Sequence, residues 1–129
     1  MSVENDTVLS ELQLELMRVL WTRGQASTAE VAEVLALSRG LAHTTIATLL
    51  SRLEKRGVVA SQRDGRQLVY RPLVAEGAVR RSMVSGLLGS LFGGDARALV
   101  AHLVREQDIA QGDLEQIKQL LARGENRDD

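Results

Sequence analysis

The chain has 129 residues, enough for one small domain or for a small domain with an oligomerisation segment. Hydrophobic residues make up 44% and aromatics only 2%, so a core must be built mostly from Leu, Val, Ala and Ile. There is no cysteine, which excludes disulfides, thiolate metal clusters and a cysteine nucleophile, and the net charge is −1.

The N-terminus, MSVENDTVLSE, is acidic and has no apolar run, so no signal peptide is expected and the protein reads as cytoplasmic. Val8 to Thr22 reads as an amphipathic helix, with Leu9, Leu12, Leu16, Val19 and Leu20 at three- and four-residue steps and Trp21 closing the run. Gly24 is the expected C-terminal cap. Ser27 or Thr28 can cap a second, short helix from about Thr28 to Leu35, with Glu30 or Glu33 completing the cap. Ser38-Arg39-Gly40 reads as a turn. A third helix is expected from about Ala42 to Arg56. It is apolar at Ile46, Leu49, Leu50 and Leu53, polar on its other face, and ended by Gly57.

Val58 to Arg63 and Leu68 to Arg71 read as short strands joined by a turn at Asp64-Gly65-Arg66-Gln67, because Asp-Gly favours a tight hairpin. Pro72, the only proline, stops the second strand. After it come helices from Ala75 to Phe92, from Ala96 to Glu106 behind an Asp95 cap, and from about Asp113 to Arg123, with a frayed tail from Gly124. The most apolar run, Val84 to Gly94, is too short to span a bilayer. Helix, strand, turn, strand over residues 41–71 is the layout of a winged helix-turn-helix, which sets a helix in the DNA major groove with a hairpin beside it.

Charge follows that layout. Residues 36–75 hold seven basic residues against two acidic ones, a net of +5, whereas residues 1–35 come to −4 and residues 76–129 to −2. A local basic patch attracts phosphates whatever the total charge, although charge alone fits a solvated face equally well. The sharpest group is Thr44, Thr45, Thr48 and Arg52. Thr is a modest helix former, and its hydroxyl and methyl suit phosphates, base edges and thymine. The plainer reading is that Thr44 caps the helix and Thr45 packs. His43 can reach a base or a phosphate, or stand idle. Arg52, Lys55 and Arg56 lie near the helix C-terminus, where they also suit the helix dipole. Arg63, Arg66 and Arg71 flank or sit in the hairpin, and a wing with Arg near its tip is expected along the sugar–phosphate backbone or in the minor groove; the plainer reading is a solvated turn. Trp21 and Tyr70 are expected in the core.

The two histidines, His43 and His102, have no metal-ligand spacing, and there is no phosphate-binding Gly-rich loop and no G-x-S-x-G. The chain is therefore not expected to be an enzyme, or to hold a metal or a cofactor.

LSELQLELMRVLW, HTTIATLLSRLEKRGVV and GRQLVYRP together resemble the penicillinase-repressor family, which includes the methicillin-resistance and copper-operon repressors. The likeness is close over residues 9–72. It continues loosely in ARALVAHLVREQDIAQGDLEQIKQLL, similar to the family's C-terminal dimerisation region. The resemblance implies a dimeric repressor on a two-fold symmetric operator, with a recognition helix reading through Thr44, Thr45, Thr48 and Arg52. It also implies a membrane-bound sensor-protease as a partner, which in classical members triggers cleavage at an Asn-Phe bond. His102-Leu103 stands at the aligned position, so induction is not expected to use that motif, and without cysteine the copper signal is excluded.

The reading is a mainly α protein with a β-hairpin wing. Residues 1–73 form the winged helix-turn-helix and residues 74–129 a helical dimerisation domain. The expected partners are a pseudo-palindromic double-stranded operator and a second copy of the chain. Expected dimer contacts are Val79, Met83, Leu87, Leu88, Leu91 and Phe92, then Leu99, Val100, Leu103, Leu114, Ile117 and Leu121. The alternative is a winged-helix adaptor for protein contacts, which has no need of the +5 patch.

Overall fold

The computed structural model describes residues 8–106 and 111–125. Ser10 opens α1 (Glu11–Arg23) with a capping box: its hydroxyl accepts from the Gln13 N–H, and the Gln13 side chain accepts from the Ser10 N–H. The same device opens α2 (Thr28–Arg39), where Ser27 and Glu30 exchange hydrogen bonds at 2.8 and 3.1 Å. Glu30 was one of the two expected cap partners, and Ser10 was not foreseen.

The second helix does not stop at Leu35. It runs on through Arg39 because Arg39 reaches back to α1, its Nε donating to Glu15 at 3.0 and 3.1 Å with Glu11 3.8 Å away. The predicted turn at Ser38-Arg39 is therefore helical. Ala26–Ser27 also forms a two-residue strand, β1, which no periodicity could announce.

The third helix, α3 (His43–Lys55), buries Ile46, Leu50 and Leu53. Gly57, at φ 80°, lets the chain turn sharply: Val58 N–H reaches the Leu53 carbonyl at 3.0 Å and Gly57 N–H the Glu54 carbonyl at 3.0 Å. The chain then enters β2 (Val59–Asp64) and returns in β3 (Gln67–Pro72) through a two-residue loop, Gly65-Arg66, with Gly65 at φ 66°. The strands pair antiparallel from Val59 opposite Pro72 to Asp64 opposite Gln67, and β1 joins the other edge of β3, giving the order β1-β3-β2.

Leu16, Met17, Leu20, Val31, Leu35, Ile46, Leu50, Leu53, Val58, Val59 and Tyr70 form one core under the three helices and the sheet. Trp21 is half-buried, and its indole N–H donates to the Val74 carbonyl at 2.9 Å.

Three helices follow: α4 (Glu76–Phe92), α5 (Ala96–Glu106) and α6 (Gln111–Glu125). Asp95 caps α5 as expected, its carboxylate accepting from the N–H groups of Arg97 and Ala98. The last helix continues past Arg123, so the expected fraying at Gly124 gives way to helix; residues 126–129 lie outside the described set. Among the described residues no single helix is long and apolar enough to cross a membrane.

The chain divides into two compact units, Met1–Val84 and Ser85–Asp129. The division falls inside α4, not at residue 73. Val74, Ala78 and Val79 are buried in the first unit, with Val79 only 1% exposed, and Met83 packs against the same core. Val79 was expected at a dimer interface and is instead core of the winged unit. In the second unit α5 has no buried residue. Leu87, Leu91, Val100, Leu103, Ile117 and Leu121 are exposed, and Leu88, Phe92, Leu99 and Leu114 are partly covered.

Candidate nucleic-acid interface

Helical spacing sorts the polar side of α3. Thr44, Thr48, Ser51 and Lys55 recur every three or four residues and form one outward row, opposite Ile46, Leu50 and Leu53. All four are exposed. Thr45 and Arg52 flank that row on one side, and His43 lies on the other, so the structure separates His43 from the rest. Ser51 is central to the row but was not singled out in the sequence. Its position at i+3 from Thr48 was the available signal.

Thr44 does not cap the helix. The N-cap is Ala42, which makes no side-chain cap, so the first-turn N–H groups are left without one. Among the described residues the hydroxyls of Thr44 and Thr45 make no hydrogen bond. Thr48 donates to the Thr44 carbonyl at 3.0 Å.

The cations fall into two groups. Arg39 is held by Glu15 and Glu11, and the Glu15 hydrogen bond raises its pKa further. Arg56, expected among the DNA contacts, instead turns to the N-terminal segment, its Nη2 donating to the Val8 carbonyl at 3.1 Å. Arg52, Lys55, Arg63 and Arg66 make no ion pair or hydrogen bond among the described residues and are exposed.

The hairpin register decides which cations share a face. Ser61 is tied to α3, its hydroxyl donating to the Glu54 carboxylate at 2.7 Å and its N–H at 3.3 Å. Arg63 is two residues further along β2 and therefore on the same face, the one that carries α3. Arg71 sits opposite Ala60 on β3 and points to the reverse face. Arg66 occupies the loop itself. Tyr70 is buried, and desolvation first, then the Glu54 charge, raises its phenol pKa.

One exposed residue had no sequence signal. Leu37, in the last turn of α2, is 91% exposed beside the short link to α3. An apolar residue in a helical pattern reads as core, and only the packing shows that it is not.

The penicillinase repressor family model matches residues 9–123. The chain is 26% identical over 113 residues to the methicillin resistance regulatory protein MecI of Mammaliicoccus sciuri, covering 88% of this chain and 92% of that one. It is 26% identical over 119 residues to the penicillinase repressor of Bacillus licheniformis, covering 92% and 93%. Among solved structures, the DNA-binding domain of the repressor BlaI superposes with a TM-score of 0.51 at 34% identity, covering 54% of this chain and 85% of that one. The Bacillus licheniformis BlaI monomer in complex with the blaP half-operator gives 0.50 at 33% identity, covering 57% and 89%.

Proposed function

This chain belongs to the penicillinase repressor family, and from that premise we propose a DNA-binding transcriptional repressor that acts as a homodimer on a two-fold symmetric operator. The observation that supports this best is the outward row Thr44, Thr48, Ser51 and Lys55. The row is exposed, and so are Arg52, Arg63 and Arg66, which make no ion pair or hydrogen bond among the described residues. In this reading α3 enters the major groove. Its hydroxyls and methyls meet base edges and phosphates, with Thr45, Arg52 and His43 on its flanks, while the hairpin lies along the sugar–phosphate backbone. The similar BlaI domain in complex with a half-operator supports the same docking.

The second unit supports the dimer. Leu91 and Leu121 are 66% and 64% exposed, and with Leu87, Val100, Leu103 and Ile117 they are more apolar surface than a lone helical segment leaves to water. A second copy offering the same faces covers them, and closed two-fold symmetry then sets inverted half-sites on the DNA. Input from a membrane sensor-protease fits the family, but a cut at His102-Leu103 must open α5. Both residues lie mid-helix, and the His102 ring packs 5.9 Å from that of Phe92.

The test is fluorescence anisotropy with a mixed-sequence duplex across a salt series. If about 6–10 phosphates are neutralised, affinity falls roughly 10³–10⁵-fold between about 50 and 200 mM salt. A flat profile overturns the reading. Sedimentation at rising protein concentration tests the dimer, and a concentration-independent monomer refutes it.

A further inference from the structure

Glu54 and Asp64 are the only acidic residues between positions 36 and 75. Glu54 stands in the last turn of α3, about three turns on from His43, which puts it on the His43 flank of the outward row. Its Oε2 accepts two hydrogen bonds from Ser61 of β2, one from the hydroxyl at 2.7 Å and one from the N–H at 3.3 Å. Ser61 is paired with Tyr70 across the hairpin, and the Glu54 charge adds to the desolvation that raises the pKa of the buried Tyr70 phenol. The carboxylate therefore sits against the side of the hairpin that faces α3. Val58, Val59 and Tyr70 anchor the base of the hairpin in the core, but residues 62–67 are all exposed. β2 is the outer strand of the sheet, and β1 reaches only Val69 and Tyr70 of β3, so no third strand braces the outer half. Among the described residues Ser61 is the last residue of β2 whose side chain is bonded to another element. A two-stranded ribbon has little stability of its own, so this tie sets where the wing lies.

We propose that Glu54 is a positioning residue for DNA binding: through Ser61 it fixes the wing against α3, so that Arg63 and Arg66 meet the sugar–phosphate backbone when the α3 row is in the groove. This role rests on the DNA-binding reading of α3. A carboxylate among these basic residues repels phosphate, so by charge alone it weakens binding to every sequence. Its contribution comes from order. With the wing already placed, binding does not have to immobilise it, and a preformed surface avoids that cost. The two effects have opposite signs, which makes them separable.

The experiment measures binding of the full chain to an operator selected from random duplexes and to a mixed-sequence duplex, well below the unfolding midpoint of every variant. Ser61→Ala removes the hydroxyl and alters no charge, and is expected to weaken operator binding about fivefold. Ser61→Thr keeps the hydroxyl on a residue that suits a strand, and is expected to stay within about twofold of the parent. Glu54→Gln removes the repulsive charge, yet is expected to lower the ratio of operator to mixed-sequence binding. Arg66→Ala is expected to cost at least about twofold less in the Ser61→Ala background than in the parent, a coupling that a loss of fold stability alone does not produce. Operator binding by Ser61→Ala equal to the parent, a full Arg66 effect in that background, Ser61→Thr as weak as Ser61→Ala, or tighter operator binding by Glu54→Gln each overturns the positioning role while leaving DNA binding in place. A parent that binds neither duplex overturns both readings.

Discussion

Thr48 donates its hydroxyl proton to the carbonyl oxygen of Thr44, one turn back along α3, at 3.0 Å. With its proton committed, the hydroxyl can only accept, and a phosphate has nothing to donate to it. What remains for DNA is the methyl group, or acceptance from a base amino group. Thr48→Val keeps the methyl and Thr48→Ala removes it. We expect Thr48→Ala to lower the ratio of specific to non-specific binding about tenfold, and Thr48→Val to stay within about threefold of the parent. Competition binding with a selected operator measures both. If Val fails as badly as Ala, the hydroxyl is the group that reads the DNA.

Arg66 and Arg56 are expected to behave differently although both carry a full charge. Arg66, in the hairpin loop, is exposed and has no partner among the described residues, so Arg66→Ala weakens all sequences about equally and lowers the salt slope by about one. Arg56 is turned to the Val8 carbonyl, so Arg56→Gln leaves the slope unchanged and weakens the contact at Val8. The pair of log–log salt plots decides it, and equal slopes in the two variants count against this assignment.

The burial of Val79 moves the point at which the chain can be cut. A fragment ending at Val84 keeps Val74, Ala78 and Val79 in the core and is expected to fold as a monomer. A fragment ending at Pro72 lacks all three and the acceptor for Trp21, and is expected to unfold at much lower urea. Within the full chain, Val79→Ala is expected to cost the winged unit about 2 kcal/mol, from lost burial and the cavity left behind. Leu91→Ala, at an exposed position, leaves the winged unit's unfolding midpoint unchanged.

Stability should also depend on acid through the clamp between α1 and α2. The Glu15 carboxyl titrates below its ordinary value of 4.5, chiefly because Arg39 donates hydrogen bonds to it; desolvation opposes this, and the Arg39 and then the Arg18 charge add to the lowering. A carboxyl whose folded pKa is depressed contributes stability that is fully present above its unfolded pKa and is lost as pH falls through the folded one. Arg39 stays charged throughout and adds no slope. The urea midpoint is therefore expected to drop as pH is lowered past 4.5, and to drop less steeply in Glu15→Gln. Glu30, lowered first by the hydrogen bond from the Ser27 N–H, acts in the same direction. Parallel pH profiles for parent and variant rule out the clamp as a source of the acid dependence.

What could be read without coordinates is whatever is encoded over one or two helical turns. The apolar stripe Ile46, Leu50 and Leu53 implies α3 and, by subtraction, the outward face with Thr44 and Thr48. Asp64-Gly65 implies the hairpin, Ser27 and Glu30 a capped helix, and the charge count places the basic surface. Interactions between residues far apart in the chain were not legible. Arg39 extends α2 because Glu15 lies across from it, 24 positions away. Arg56 and Arg71 look like Arg52 and Arg63 in a string of letters. A carbonyl 48 positions away holds Arg56, and the register with β2 turns Arg71 to the reverse face. Val79 has the same helical spacing as Leu87 and Leu91, and only packing separates a core residue from an open one. Local periodicity says which residues share a face, and tertiary packing alone decides what that face meets, because burial and partner choice depend on distances that sequence separation does not set.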